Sequence, residues 1–327
     1  MVVILLVYAQ DCSQAVIRGL QLCGTAVIPA LFPMFVASKL FIAKAQQLPL
    51  PGLLQRVWQR LFGTGGICAY GTIFGLLGGY PLGVSVICEL YENKCISRED
   101  AEHSLRFCNN SGPAFFIAVL GAKVFQDISV GLMLYGIHVL SALMLGILFR
   151  RQSHREACAI STRPSNRPFG ALFMDAIQSS CASLLQICGL ILFFTTLNAV
   201  MHSIGLFQLI QYLPFEGIEA LLQGIMELTG GIFRLQNTKE ALLLAAFLMG
   251  WGGFCIHFQA SILWQKVGLS PKGYYVSKLL HGLLSVYLVW MLYARSVILS
   301  LCLLFAVILT IFGFRRKCTG NPDRYAL

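Results

Sequence analysis

Long apolar stretches constrain this chain most, because a helix needs about 20 mainly apolar residues to cross the hydrocarbon core of a membrane. Stretches of that length with no more than one charge are residues 24–43, 65–88, 128–149, 176–201, 241–265 and 296–314. Residues 111–125, 203–215 and 279–294 are shorter, and fit marginal spans, half-helices or re-entrant segments. We therefore predict an all-α polytopic integral membrane protein with re-entrant hairpins and broken helices.

The composition agrees with a surface that faces lipid. Hydrophobic residues make up 57% of the chain and charged residues 12%, and the mean hydropathy is +0.73. Soluble domains carry about 25% charged residues, so most cytosolic enzyme classes are excluded. The net charge of +10 fits cytoplasmic loops and anionic lipid head groups. No aromatic-basic pattern points to nucleic acid, and we predict membrane lipid, not nucleic acid, as a partner.

The cysteines and histidines do not form a metal-binding pattern. Most of the 12 cysteines lie in apolar runs, where they are typical of small buried hydrophobes; examples are Cys68, Cys88, Cys181, Cys188, Cys255 and Cys302. No CxxC pair, zinc-spaced Cys/His cluster or HExxH occurs. We predict neither a metal nor another cofactor.

The charge distribution divides the chain into four parts. Residues 1–149 form a first membrane repeat, 150–168 a basic polar linker, 169–314 a second membrane repeat and 315–327 a basic tail. The excess of Arg and Lys places linker and tail in the cytoplasm, although a merely solvated loop explains the linker equally well. The apolar residues 1–9 are too short to cross, and no basic segment precedes them, so we predict no signal peptide.

Short landmarks of the first half recur in the same order in the second. They are LQLCG at 20–24 and LQICG at 185–189, TGGI at 64–67 and 229–232, GGY at 78–80 and GGF at 252–254, and IS at 96–97 and LS at 269–270. Ser97 and Ser270 also resemble helix starts, the first followed by two acids and the second by Pro271. Duplicated halves with Gly- or Pro-interrupted segments indicate a secondary transporter whose site lies between them.

The predicted orientation restricts how many times the repeated unit can cross the membrane. With linker and tail both cytoplasmic, the second half crosses the membrane an even number of times, whereas an inverted repeat needs an odd number. Some segments must therefore be non-crossing hairpins, or one helix lies outside the repeat.

Residues 74–83 contain four glycines and Pro81 in an apolar run. Glycine costs about 1 kcal/mol and proline about 3 kcal/mol inside a helix, so we predict a break with free backbone groups. Lipid tolerates such groups only beside protein or a water-filled cavity. Gly78, Gly79, Tyr80 and Pro81 are therefore candidate substrate contacts. The alternative is a close helix contact through small residues.

Polar residues interrupt the apolar sequence again at Asn109, Asn110 and Ser111, which precede a Gly-Pro pair. This pattern predicts a turn before a new helix, whose N-terminus suits an anionic group. An ordinary surface loop is the alternative.

The second half offers further candidates. Glu227 and Thr229 lie beside a duplicated landmark, and an acid at membrane depth is a candidate site for a proton, a cation or a substrate donor; the alternative is a position at the membrane interface. Gly252 and Gly253 are followed by two more candidates, His257 and Gln259, and such side chains are more often hydrogen-bonded within the bundle. No catalytic motif supports an intramembrane hydrolase at Ser85, so we predict no enzymatic activity and no catalytic residue.

Several of these motifs resemble the sporulation integral membrane protein YlbJ family. The residues that carry the resemblance are the run at 19–35 ending in PALFPMF, GGYPLG at 78–83, FCNNSGP at 107–113, ELTGG at 227–231 and GWGGFCIHFQ at 250–259. The resemblance spans residues 13 to 290. This chain departs from the family in its short first apolar segment and in having Gly230 where an Asn is common.

The resemblance implies a nucleoside-recognition (Gate) domain similar to concentrative nucleoside transporters. It also implies a transporter of dipicolinic acid across the outer forespore membrane during endospore formation. We therefore expect a small anionic or nucleoside-like solute as partner. Facilitated diffusion, coupling to H+ or Na+, and an oligomer all stay open. The alternatives are a non-transporting membrane scaffold for sporulation and a transporter of nucleosides or other small solutes.

Overall fold

The computed structural model describes residues 2–45, 50–150, 168–210 and 217–293. Within these ranges all regular structure is helical, and no β-strand occurs. The prediction of an all-α chain is confirmed. The predicted span at 296–314, nearly all of the basic linker and the basic tail lie outside the described residues.

Helices α1 to α8 belong to the first half. They are α1 Val2–Val7, α2 Ala9–Leu22, α3 Ile28–Ala45, α4 Gly52–Phe62, α5 Ala69–Gly78, α6 Leu82–Glu92, α7 Arg98–Cys108 and α8 Ile128–Leu148. Two π-helical segments, Cys23–Val27 and Phe115–Val124, and a 3-10 turn, Gly66–Cys68, connect some of them. The second half contains α9 Phe169–Ser203, α10 Leu206–Ile210, α11 Ile218–Met226, α12 Leu228–Ile232, α13 Lys239–Trp251, α14 Gly253–Lys266 and α15 Tyr274–Tyr293.

Five helical units of the described chain are long and apolar enough to cross a membrane. They are Ala9–Ala43, Ile128–Leu148, Phe169–Ser203, Lys239–Lys266 and Tyr274–Leu292. A pair bent by 84°, made of α4 and Gly66–Gly78, adds a sixth if it counts as one span. The chain is therefore a polytopic integral membrane protein, as the apolar stretches predict. The interpretation of the stretch from residue 279 as a short, marginal span is wrong, since residues 279–293 belong to α15, which starts at Tyr274.

The apolar stretch at 65–88 is not a single crossing. It folds into two antiparallel helices, α5 and α6, that pack through small residues. A methyl group added to Gly75 would lie 3.2 Å from Gly83 Cα, and one added to Gly71 would overlap the Ile87 side chain. Both pairs are symmetric about the turn at Gly79, which has φ +88°. The predicted break and the predicted close contact through glycines are thus both present, in one hairpin.

Two further helices are interrupted. The helix that begins with α7 stops at Cys108 and resumes shortly before the π-helical segment Phe115–Val124. The second interruption separates α13 from α14, where Gly252 and Gly253 both have positive φ, +89° and +84°. A side chain is strained in this left-handed region, so glycine is what permits the break between α13 and α14.

The predicted helix starts differ in their outcome. Ser97 caps α7, and its hydroxyl accepts a hydrogen bond from the Asp100 amide at 3.1 Å. The start predicted at Ser270 is wrong, because α15 begins only at Tyr274. The Ser270 amide is instead bonded to Glu102 of α7 at 3.1 Å, so this turn is fixed by a contact between the two halves.

The described cysteines are free thiols. Cys68, Cys88 and Cys255 are buried, as the apolar runs predict, whereas Cys181 is exposed. Cys302 lies outside the described residues.

Candidate functional site

The tip of the α5–α6 hairpin meets both helix breaks inside the protein. A methyl group added to Gly79 would lie 3.1 Å from the Gly112 nitrogen, and one added to Gly252 would lie 3.5 Å from the Tyr80 ring. The Tyr80 hydroxyl donates to the Met249 carbonyl oxygen at 2.6 Å. The hairpin tip, the break after α7 and the break after α13 therefore form one junction.

The break after α7 is buried and hydrogen-bonded, so its interpretation as a surface loop is wrong. Asn109 and Asn110 are fully buried and Ser111 nearly so. The Asn109 amide donates to the Tyr274 hydroxyl at 2.6 Å, and the Asn110 amide donates to the Phe107 carbonyl oxygen at 2.8 Å. These bonds attach the break to α15 and to the last turn of α7.

Lys278 of α15 is the central charge of this junction. It is 1% exposed, and its ammonium donates to the Asn109 carbonyl oxygen at 2.7 Å. The same nitrogen lies 3.2 Å from Nδ1 of His281 and 5.4 Å from the centre of the Tyr80 ring. Ion pairs within the described part of the chain include Lys39–Glu89, Arg98–Glu102 and Arg234–Glu219, and none of these three contains Lys278. Among the described residues, the Lys278 side chain is therefore buried without an acid paired to it.

Two stacked histidines lie next to Lys278. The rings of His138 and His281 are 4.4 Å apart. The Ser111 amide donates to Nε2 of His138 at 3.1 Å, and therefore the proton of that imidazole is assigned to Nδ1. His281 has the other tautomer, because its Nε2 lies 3.0 Å from the His138 carbonyl oxygen, which can only accept. Both rings are thus assigned as neutral.

His257 of α14 completes the group. It is fully buried, and its Nδ1 lies 3.4 Å from the Tyr274 hydroxyl. The centres of the His257 and Trp251 rings are 4.4 Å apart, in a T-shaped arrangement. We call the whole group the Lys278 cluster. Its members are Tyr80, Asn109, Asn110, Ser111, His138, His257, Tyr274, Lys278 and His281.

Glu227 lies at the tip of a second, shorter hairpin made of α11 and α12. Its two carboxylate oxygens accept hydrogen bonds from the amides of Thr229 at 2.9 Å and Gly230 at 2.7 Å, so the side chain caps α12. A methyl group added to Gly253 would lie 2.9 Å from the Gly224 carbonyl oxygen. This hairpin therefore packs against the break after α13, on another side from the Lys278 cluster.

A polar cavity of about 590 Å³ opens beside Glu227. Its lining comes mainly from α2, α9 and the α11–α12 hairpin, and includes Asp11, Arg18, Asn198, His202 and Arg234. Arg234 is held by Glu219 at 2.9 Å and by Gln223 at 2.7 Å. Gln223 thus belongs to the same hydrogen-bonded network at the cavity wall as Arg234 and Glu219.

The predicted site residues fall into three groups. Gly79, Tyr80, Asn109, Asn110, Ser111, Gly252 and His257 meet in or against the Lys278 cluster, with Gly78 and Pro81 flanking the hairpin tip. Glu227 and Thr229 belong to the second hairpin, and Gly253 packs against that hairpin. Gln259 donates to Cys255 at 3.4 Å and is not among the hydrogen-bonded residues of the cluster.

Sequence reasoning missed Lys278, His138 and Tyr274. A detectable signal was the Lys278 and His281 pair, since residues three apart share a helix face and few apolar helices carry two such groups. His138 is a second signal, as a lone ionisable residue in the middle of an apolar stretch.

Comparison with known proteins gives one relationship. No family model matches this chain, and no solved structure matches it. The curated sporulation integral membrane protein YlbJ of Bacillus subtilis (strain 168) is 25% identical over 320 residues, which cover 88% of this chain and 78% of that protein. The match confirms the resemblance that the motifs indicate. This chain is an integral membrane protein related to the sporulation protein YlbJ.

Proposed function

We propose that this protein is a membrane transporter that moves dipicolinate, a small aromatic dicarboxylate, across the outer forespore membrane during endospore formation. The observation that carries the proposal is the junction of one hairpin tip and two helix breaks around the Lys278 cluster, inside a bundle of apolar spans. The relationship to a sporulation membrane protein supports the cellular role.

The junction supports transport because broken helices are costly in a membrane. Each break leaves backbone groups without helical partners, which hydrocarbon does not tolerate unless protein or a water-filled cavity shields them. Secondary transporters use such discontinuous helices to bind solutes near the middle of the membrane. A scaffold that needed only helix packing would gain nothing from three interruptions at one point.

The charge of the cluster supports an anionic solute. In its protonated form Lys278 supplies a positive charge, and the two neighbouring imidazoles are assigned as neutral. A nucleoside would bring no charge to balance the ammonium, whereas a carboxylate would. We therefore favour dipicolinate over a nucleoside.

Among the described residues, the surroundings of Ser85 do not supply the base that a serine nucleophile needs. This residue lies in α6 and is 5% exposed. Among the described hydrogen bonds, none joins its hydroxyl to a histidine, which a serine nucleophile would need as its base.

Uptake into proteoliposomes tests the proposal. The full-length protein is reconstituted, and radiolabelled dipicolinate or uridine is added with no gradient, with an H+ gradient or with a Na+ gradient. We expect dipicolinate flux above that of empty liposomes, a loss of flux in Asn109→Ala, and normal flux in Gly136→Ala, since Gly136 has no neighbour within 4 Å of an added methyl group.

Two results contradict the proposal. Folded protein that moves neither solute under any gradient would point to the scaffold. Uridine flux without dipicolinate flux would show that the protein is a transporter but that dipicolinate is not its solute.

A further inference from the structure

We propose that Lys278 and Nδ1 of His138 bind a carboxylate group of the transported solute. This inference rests on the proposed function, because it assigns the residues that recognise the solute at the junction. It concerns two side chains that the sequence motifs did not indicate.

The first argument is the missing counter-charge. Lys278 in its protonated form is a buried ion, which is costly unless an opposite charge and hydrogen bonds compensate it. The Asn109 carbonyl oxygen at the end of α7 supplies one bond at 2.7 Å, and the partial negative charge of a helix C-terminus favours a cation. No described ion pair supplies a full negative charge. A bound carboxylate would supply it.

The second argument is the number of donors on Lys278. An ammonium group has three N–H bonds. One is directed to Asn109 at 2.7 Å and one to Nδ1 of His281 at 3.2 Å. The third has no partner among the described hydrogen bonds. It is the donor that an anion would accept.

The third argument is an unused donor on His138. This ring is 1% exposed, and its Nε2 is occupied by the Ser111 amide. Its protonated Nδ1 has no hydrogen-bond partner. A buried donor without an acceptor is destabilising, and an oxygen of a bound carboxylate would accept from it.

Other unpartnered atoms surround the same group. They are Oδ1 of Asn109, Oδ1 of Asn110 and Nε2 of His257. The two amide oxygens require donors, and water molecules that accompany a carboxylate supply them.

Equilibrium binding to the purified full-length protein in nanodiscs tests this inference. The probes are dipicolinate, pyridine-2-carboxylate and the uncharged pyridine-2,6-dicarboxamide, and affinity is measured by calorimetry. Wild-type protein should prefer dipicolinate to the diamide. Lys278→Met should bind dipicolinate about 10- to 100-fold more weakly, the range for a charged hydrogen bond, and should lose the preference for the charged ligand.

Two further variants make the result independent of folding. Lys278→Arg keeps the charge and should keep the preference for dipicolinate, with lower affinity because the planar guanidinium does not match an ammonium site. His138→Gln keeps an acceptor for the Ser111 amide. It should weaken the binding of dipicolinate and of pyridine-2-carboxylate more than the binding of the diamide. Wild-type discrimination in Lys278→Met, or loss of it in Lys278→Arg, overturns the inference.

The same variants separate this inference from the proposed function. Dipicolinate flux at the wild-type rate in Lys278→Met overturns the inference alone. Lys278-dependent binding in a protein that moves no dipicolinate overturns transport alone.

Discussion

The Tyr80 hydroxyl donates to the Met249 carbonyl oxygen at 2.6 Å, although the two residues are 169 positions apart in the chain. Met249 lies in the last turn of α13, where carbonyl oxygens lose their helical partners. The Tyr135 hydroxyl donates in the same way to the Leu76 carbonyl oxygen near the end of α5, at 2.9 Å. The Lys278 nitrogen donates to the Asn109 carbonyl oxygen at the end of α7. Side chains from remote elements thus satisfy the free backbone of three interrupted helices.

The first prediction concerns this bond between the two halves. Tyr80→Phe keeps the ring beside Lys278 and removes the donor, so we expect the free energy of unfolding to fall by about 1 kcal/mol. Tyr135→Phe, which breaks a bond within the first half, should have a similar effect on unfolding. Only Tyr80→Phe should loosen the two halves, seen as faster hydrogen exchange at the ends of both α5 and α13. Equal exchange in the two variants would contradict a special role for Tyr80.

The second prediction concerns the packing of the α5–α6 hairpin. A methyl group added to Gly75 would overlap the Cys108 carbonyl oxygen, which is backbone and cannot rotate away. Gly75→Ala should therefore destabilise the protein by about 1–3 kcal/mol, measured by thermal unfolding in detergent. Gly136→Ala is the control, because an added methyl there meets nothing within 4 Å. A Gly75→Ala protein as stable as the control would mean that the hairpin is not packed as described.

The break at Gly79 was predictable because glycine and proline act locally. The path of the chain after the break was not predictable from the sequence. The stretch at 65–88 has the length and hydropathy of a single span, and those two quantities are the same for a crossing and for a hairpin. The outcome depends on whether Gly71, Gly75 and Gly83 let two helices approach closely, which is a property of the packed pair.

Lys278 was missed for a related reason. A search for uncharged stretches begins its segment at Leu279, immediately after the lysine, and so removes the residue from the helix to which it belongs. The burial of its charge depends on Asn109 and Tyr80, which come from distant parts of the sequence. Hydropathy along one helix does not contain that information, although the nearby His281 gives a local hint.

The third prediction concerns Glu227, whose carboxylate caps α12 through two backbone amides. Glu227→Gln keeps one acceptor oxygen and places an amide group against the second N–H, so stability should fall by about 1 kcal/mol. Glu219→Gln removes a partly exposed ion pair with Arg234, and pairs of this kind contribute about 0–1 kcal/mol. Thermal unfolding should rank Glu227→Gln as the less stable variant. The reverse order would mean that the cap contributes little to the second hairpin.

The last prediction concerns the cavity beside Glu227, whose charged lining, with Asp11, Arg18 and Arg234, requires water. A thiol reacts as its thiolate, which forms in water and not in lipid. Ala199→Cys, at the cavity wall on α9, should therefore react with a charged, membrane-impermeant thiosulfonate about tenfold faster than Gly189→Cys, which lies exposed on the same helix outside the cavity lining. The reaction of the native cysteines is measured on unsubstituted protein and subtracted. In sealed proteoliposomes, the reagent should label Ala199→Cys when it is added to one face of the membrane and not when it is added to the other. The reason is that an open cavity reaches one side of the membrane only. Faster labelling of Gly189→Cys would show that the cavity is closed to water.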